Sequence, residues 1–176
     1  MSKTALIFGA GSGISASFAR QLKSDGYRVA LAARRPEKLA ELAAQTAAVV
    51  LAADSTRPDQ VSAAFDHLDR NFGHLDVVLY NASQRVRGPI AELDPAAVKE
   101  AVEVTAFGGF VVAQQAARRM LARGSGTIMF TGASASVKGY AQSAAFAMGK
   151  FALRGLAQSM ARELHPQGIH IAHFVI

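Results

Sequence analysis

The chain has 176 residues, of which 51% are hydrophobic and 18% charged, and this composition predicts one globular domain and excludes a disordered chain. The net charge of +6 comes from scattered basic residues without interleaved aromatic ones, which argues against nucleic-acid binding. The absence of cysteine excludes a disulfide framework and a thiol nucleophile, and it suits the cytoplasm, where we expect the protein to work. No apolar stretch approaches the ~20 residues that a bilayer requires, so we predict no membrane partner.

The first segment is a short apolar run, residues 5–8, followed by a glycine-dense turn, residues 9–13, and then by a helical pattern. Glycine lets the backbone turn tightly and approach a ligand, and the start of a helix directs free N–H groups at an anion. Two registers fit a dinucleotide loop, Gly11-x-Gly13 with Ala16, or Gly9 with Gly13 at a wider spacing. A tight strand-to-helix turn without a ligand is the alternative. The predicted phosphate contacts are Gly9, Gly11, Ser12, Gly13 and Ile14.

The rest of the chain continues the alternation of strand and helix. Further strands are predicted at 27–33, 47–53, 75–80, 127–131 and 169–176, and the two longest helices at 95–122 and 143–164. Near-continuous apolar strands separated by helices indicate a parallel sheet covered on both faces. We therefore predict one α/β domain, 1–176, with a doubly wound, mostly parallel sheet in three layers.

A ligand of such a sheet binds at the carboxyl ends of the strands. The second predicted strand ends at Ala33 and is followed by Arg34 and Arg35, where an enzyme that prefers NAD has a carboxylate for the adenosine ribose. Arginine there favours a 2′-phosphate, so NADP is the expected cofactor and NAD the less favoured one. Two solvated charges at a helix start are the alternative interpretation.

Taken together, the motifs resemble the short-chain dehydrogenase/reductase family over the whole chain. The segment 9–15 is similar to the family's T-G-x-x-x-G-I-G loop, and 80–83 to its N-N-A-G motif. The resemblance implies a Rossmann fold, a small carbonyl or alcohol substrate, and a homodimer or homotetramer formed through the two long helices. It also implies cofactor contacts after the third and fourth strands, namely Asp54, Ser55, Asn81 and Ala82.

The resemblance fails at the catalytic tyrosine, where this chain has Phe146 in the segment 146–150. Phenylalanine has no proton to donate, and a positioned acid is worth ~10²- to 10⁴-fold in rate. Thr105 occupies the position of the family's asparagine, and Ala133 that of its serine, with Ser134 one residue later. The family's lysine, which holds the nicotinamide ribose, is retained as Lys150. The candidate catalytic residues are therefore Lys150, Ser134, Thr105 and Phe146.

Several alternatives remain open at this point. Lys150 is either a ribose ligand or an ordinary helix lysine, and Ser134 is either a substrate contact or a turn residue. Tyr140 and Ser143 offer a displaced hydroxyl. Arg85 and Arg87 are either solvated or receive an anionic substrate. The function is accordingly an NADP(H)-dependent oxidoreductase with an unusual proton donor, or a catalytically silent NADP-binding protein that acts as a sensor or partner.

Two further expectations concern the last strand. His170 and His173 should face opposite sides of it, so no metal site is predicted there. The resemblance also implies a substrate-covering segment and a further strand, which residues 1–176 lack. Either the natural protein continues after Ile176, which we expect, or it is a truncated form without them.

Overall fold

A computed structural model describes residues 2–176 and contains one sheet of six parallel strands. The strand order is β3-β2-β1-β4-β5-β6, so the chain first winds outward to one edge and then, from β4 onward, to the other. This confirms the predicted doubly wound α/β fold, with every strand pairing parallel rather than most of them. The strands are β1 Thr4–Phe8, β2 Arg28–Ala33, β3 Val49–Ala52, β4 Val77–Tyr80, β5 Gly126–Thr131 and β6 Ile169–Phe174.

Helices cover both faces of the sheet. They are α1 Ile14–Ser24, α2 Ala40–Thr46, which follows a short 3₁₀ turn at Pro36–Leu39, α3 Pro58–Phe72, α4 Pro95–Val102, α5 Gly108–Arg123 and α6 Ala144–Leu164. Helices α1 and α2 pack in one apolar cluster, and α3, α5 and α6 pack in the other. The three predicted layers are therefore present.

Strand β1 shows how the sequence produces two cores. All five of its residues are buried, because helices lie on both sides of it. Successive side chains of a strand point to opposite faces, so Ala5 and Ile7 join the α1–α2 cluster while Leu6 and Phe8 join the other. Because β1 is central in the sheet, the loop that follows it lies at the middle of the sheet's carboxyl edge.

The helix predicted over 95–122 is present in the structure and contains a π-helical turn. Asp94 caps its start by accepting hydrogen bonds from the N–H groups of Ala96 and Ala97, as the Asp-Pro sequence predicts. A π-helical turn, Glu103–Phe107, then separates α4 from α5. The π-turn is a one-residue insertion within the predicted helix, which otherwise continues to Arg123. Among residues 2–176, no helix is both long and apolar enough to cross a membrane.

Candidate active site

The carboxyl ends of β1, β2 and β4 open into a cleft of about 670 Å³. Its location agrees with the rule that open α/β sheets bind ligands where the strand order reverses. The predicted cofactor residues that line it are Gly9, Gly11, Ser12, Arg34, Arg35, Ser55, Asn81 and Ala82. Within the described residues, no acidic side chain lines the cleft, whereas Lys38 adds a third basic one.

The glycine loop is held in place by the end of β4. Gly9 has a φ of 80°, a left-handed conformation that favours glycine, and a Cβ there would overlap the backbone of Ala82. The Asn81 side chain donates a hydrogen bond of 3.1 Å to the Gly9 carbonyl. The loop and the β4 end thus form one rigid unit at the floor of the cleft.

Ser15 occupies the position where the family motif has its last glycine, and its side chain makes hydrogen bonds to the loop. Its hydroxyl accepts a 2.9 Å hydrogen bond from the Gly11 N–H and donates one of 3.1 Å to the Gly11 carbonyl. Helix α1 begins at Ile14, and the Ala16 N–H donates to the Gly13 carbonyl, whereas the N–H groups of Ile14 and Ser15 have no partner within the helix and can bind an anion. Gly13 and Ile14 line a second, adjoining cavity rather than the first.

The residues after β3 are arranged differently from the sequence expectation. The Asp54 carboxylate accepts hydrogen bonds from the N–H and hydroxyl of Thr56, and its neighbours Ala53 and Ser55 line the cleft in its place. Ser55 is buried, and its hydroxyl lies 3.1 Å from the Tyr80 hydroxyl, which donates its one proton to the Val104 carbonyl and can accept a hydrogen bond from Ser55. Burial raises the pKa of Tyr80, so it remains a neutral donor that ties β4 to the π-turn.

The second cavity, about 250 Å³, contains Lys150. This side chain is 2% exposed, and its Nζ donates a 2.6 Å hydrogen bond to the Thr131 carbonyl. Burial lowers the Lys150 pKa to about 8, and the nearby positive charge of Arg85 acts in the same direction. Lys150 is therefore not an ordinary solvated helix lysine, because it lies inside the site.

Phe146 lies beside Lys150, with its ring centroid 5.6 Å from the Lys150 Nζ. The Arg85 guanidinium covers the ring at 4.3 Å from the centroid. Ala133, which takes the position of the family's serine, lines the same cavity. In the family, the two positions occupied here by Phe146 and Ala133 carry hydroxyl groups. In this structure they form an apolar wall, and the Arg85 guanidinium covers the Phe146 ring.

A third cavity, about 470 Å³, lies on the other side of Phe146. It holds the displaced hydroxyl candidates Ser134, Tyr140 and Ser143, together with Arg85 and Arg87. A hydrogen bond from the Ser134 hydroxyl lowers the pKa of the Tyr140 phenol, and Lys138 contributes in the same direction. Ser134 and Lys150 line different cavities, and Phe146, Arg85 and Ala133 are among the residues the two cavities share.

Thr105 does not reach any of these three cavities. It is 1% exposed in the π-turn, its hydroxyl accepts a 3.2 Å hydrogen bond from the Gln84 N–H, and its Cβ packs on Gly149. Its observed role is to join α6 to the loop after β4.

The histidines of β6 do not form a cluster. His170 is exposed, whereas the Nε2 of His173 is buried without a hydrogen-bond partner in residues 2–176. The structure shows no group of three or more His, Asp or Glu side chains suited to a metal ion in that part of the chain.

The first two cavities share Gly11, Asn81 and Ser83, so they form one groove that runs from Arg34 at one end to Lys150 at the other. A groove of this kind across the reversal point of a doubly wound sheet defines a dinucleotide-binding α/β fold. The family model described as short chain dehydrogenase matches residues 3–175, and the chain belongs to that family.

The relatives that match agree with this membership. The L-2,3-butanediol dehydrogenase of Corynebacterium glutamicum is 31% identical over 176 residues, covering 96% of this chain and 68% of that protein. Across the curated relatives compared, the covered share of the relative's own length extends from 51% to 74%.

Two solved structures of similar proteins contain different cofactors. A metagenomic short-chain oxidoreductase in complex with NADP has a TM-score of 0.94 and 28% identity, with 98% of this chain and 81% of the other covered. An NAD⁺-bound xylitol dehydrogenase has a TM-score of 0.94 and 27% identity, with 97% of this chain and 68% of the other covered. The neighbours therefore agree on a nicotinamide dinucleotide but not on which one.

Sequence reasoning missed two features of the site. The stacking of Arg85 on Phe146 joins residues 61 positions apart, so no local pattern predicts it. Tyr80 replaces the first asparagine of the family motif, and only its contacts with Ser55 and Val104 reveal what it does.

Proposed function

We propose that the protein is an NADP(H)-dependent oxidoreductase that reduces a carbonyl compound or oxidises the corresponding alcohol. The observation that carries this proposal is the groove that connects the arginine pair after β2 with the buried Lys150. One end suits a phosphate on the adenosine ribose, and the other brings a buried, polarised ammonium group to the predicted position of the nicotinamide ribose.

The preference for NADP rests on charge. Arg34 and Arg35 are exposed, line the cleft and have no ion-pair partner within residues 2–176. Arginine offers a planar, bidentate contact to a phosphate, and the half-buried Ala33 cannot accept a hydrogen bond from a ribose hydroxyl as a carboxylate would. We therefore expect NADPH to bind more tightly than NADH.

Lys150 is the proposed proton donor. When bound, the nicotinamide supplies the hydride. With a pKa of about 8, the Lys150 ammonium is close to the optimum for an acid that works near neutral pH. It would give a proton to the carbonyl oxygen as that atom gains charge and recover one from solvent. Ser134 remains a proposed substrate contact, and Phe146 a wall that packs against the reacting group.

A second candidate function is a catalytically silent NADP-binding protein. Three observations favour it. Phe146 lacks a hydroxyl group, Ala133 occupies the position of the family's catalytic serine, and Thr105 is buried and lines none of the three cavities. Such a protein would change its interactions with a partner when the cofactor binds.

Cofactor binding and turnover are tested separately. Fluorescence titration with NADPH and NADH should show tighter binding of NADPH. The substitution Arg34→Ala should lower the affinity for NADPH by about tenfold and leave the affinity for NADH almost unchanged. Arg70→Gln, an exposed arginine on α3 outside the three cavities, is the matched control. Tighter binding of NADH by the native protein would refute the charge argument.

Turnover is measured with a panel of ketones and aldehydes for the native protein, Phe146→Tyr and Lys150→Ala. The oxidoreductase proposal expects native turnover that is lost in Lys150→Ala and raised by roughly 10²-fold in Phe146→Tyr, because a phenol supplies a second positioned acid. Cofactor binding without turnover in either the native protein or Phe146→Tyr would favour the silent candidate.

We also propose a homodimer or homotetramer, in the cytoplasm. Large apolar side chains are exposed along the outer faces of the π-turn, α5 and α6, which the resemblance implicates in assembly. They are Phe107, Phe110, Leu121, Met148 and Phe151, each at least 38% exposed. The rings of Phe107 and Phe110 lie 6.3 Å apart, and exposed apolar side chains grouped in this way are typical of a surface that a partner covers.

A further inference from the structure

We propose that Arg85, stacked on Phe146, anchors a carboxylate of the substrate, so that the substrate is a carbonyl compound with a carboxylate close to its reacting carbon. The identity of this anion as the substrate rests on the proposed function. The existence of the anion site rests on the geometry and charges of Arg85 and its neighbours.

The position of Arg85 is the first argument. Its guanidinium lies 4.3 Å from the Phe146 ring centroid and lines both the Lys150 cavity and the third cavity. An arginine stacked on an aromatic face keeps the edge of its planar fork available for two parallel hydrogen bonds. A carboxylate bound there would leave the adjoining carbonyl group within the space that Phe146 and Lys150 line.

The lack of a counter-ion is the second argument. Other arginines in the structure have carboxylate partners, such as Arg119 with Asp66 and Asp69, and Arg123 with Asp76. None of the ion pairs among residues 2–176 involves Arg85 or Arg87. The arginines of the site are therefore available for an external anion.

The third argument is the accumulation of like charge. Arg85 and Lys150 are close enough for one to lower the pKa of the other, yet no acidic residue in the described chain lines either of their cavities. Like charges held together cost free energy, and an anion between them relieves that repulsion. The rings of Phe146 and Tyr140 also line the third cavity, beside Arg85.

The pyrophosphate of the cofactor is the competing occupant, and the third cavity argues against it. Arg85 and Arg87 both line that cavity, together with Ser134, Tyr140 and Ser143, whereas no residue of the glycine loop does. A guanidinium fork binds a carboxylate or a phosphate in the same bidentate way, so the two anions are compared directly in the test.

The test uses benzoylformate, a 2-oxo carboxylate, and its neutral methyl ester as a matched pair. Binding of each is measured by titration calorimetry with and without saturating NADP⁺. The acid should bind the native protein at least about tenfold more tightly than the ester, because a charge-assisted bidentate contact is lost in the ester. In Arg85→Gln the two should bind within about twofold of each other, Arg85→Lys should fall between, and Arg70→Gln should match the native protein.

Several results would overturn the proposal. Equal binding of the acid and the ester by the native protein removes the anion site, and so does an unchanged preference in Arg85→Gln. A phosphate monoester, phenyl phosphate, binding more tightly than benzoylformate would contradict the carboxylate assignment. A tenfold or greater loss of NADPH affinity in Arg85→Gln would assign Arg85 to the cofactor. Because Arg85 is exposed, its variants should keep the native melting temperature, which is checked first.

Failure of this inference can be told apart from failure of the proposed function. If NADPH does not bind, or no carbonyl compound oxidises it, the proposed function fails, and the calorimetry without NADP⁺ still decides the anion site. If NADPH is oxidised with the methyl ester faster than with the acid, the proposed function holds and this inference fails.

Discussion

Replacing Lys150 by methionine tests the electrostatics on which the proposed chemistry depends. Lys150 is 2% exposed and makes one hydrogen bond, to the Thr131 carbonyl. Its pKa falls from 10.5 to about 8 chiefly because burial penalises the charged form. In the apo protein the buried ammonium should therefore oppose folding at neutral pH, and methionine should remove that penalty while filling a similar volume.

The magnitude follows from the two pKa values. One pKa unit is about 1.4 kcal/mol, so the lowering corresponds to about 3 kcal/mol. The unfolded chain holds the proton more tightly than the folded one, so the native protein gains stability as pH rises. The penalty is fully present below pH 8, falls between about pH 8 and 10.5, and is absent above that range. Loss of the hydrogen bond to Thr131 offsets it by a pH-independent amount of about 1 to 3 kcal/mol.

The assay is urea unfolding of the native protein and Lys150→Met at a series of pH values from 7 to 10.5. The free energy of unfolding of the native protein should rise by about 3 kcal/mol relative to the variant across this range. Lys99→Met, an exposed position on α4, is the matched control and should show no such trend. A difference between native protein and Lys150→Met that does not change with pH would refute the lowered pKa.

Three further predictions concern catalysis, assembly and packing. The kcat of carbonyl reduction should fall as pH rises through about 8, where the Lys150 ammonium is lost, and a flat profile would exclude Lys150 as the acid. Phe110→Glu places a charge on the exposed apolar face of α5 and should shift sedimentation from oligomer to monomer, whereas a native monomer at micromolar concentration would contradict the assembly. Gly108→Ala puts a Cβ 2.6 Å from the Tyr80 hydroxyl and should lower stability by about 1 to 3 kcal/mol in thermal unfolding. Gly155→Ala, in the open on α6, is its control and should not destabilise.

The sequence predicted the fold well because the sheet depends on local signals. Each strand is a short apolar run. A helix start such as Asp94-Pro95 is marked by a residue whose side chain accepts hydrogen bonds from backbone N–H groups two and three residues later. Prediction was weaker at the boundaries, since β3 begins at Val49 rather than at residue 47, where Ala47 adopts a left-handed conformation. The long helix after Pro95 was predicted, whereas no sequence signal indicated the π-turn within it.

The candidate site was predictable in part for a physical reason. Residues that act through their position after a strand, such as Arg34 and Asn81, could be placed from the topology alone and do line the groove. The side-chain directions could not be placed in this way. The Asp54 carboxylate accepts hydrogen bonds from Thr56, two residues later, in a local turn. The Thr105 hydroxyl accepts from the Gln84 N–H, which lies in another segment, so this outcome depends on a tertiary contact.

The π-turn at Glu103–Phe107 makes a specific kind of change tolerable at the site. Such a turn corresponds to a one-residue insertion in a regular helix, so deleting one of these five residues would restore an ordinary α-helical register. The anchors on either side, Asp94 at the start of α4 and Gly108 against Tyr80, would keep their places. The deletion would rotate Val104 and Thr105 away from their partners and release the loop that carries Arg85. In this segment, a change in chain length would therefore act on the site through the loop that carries Arg85.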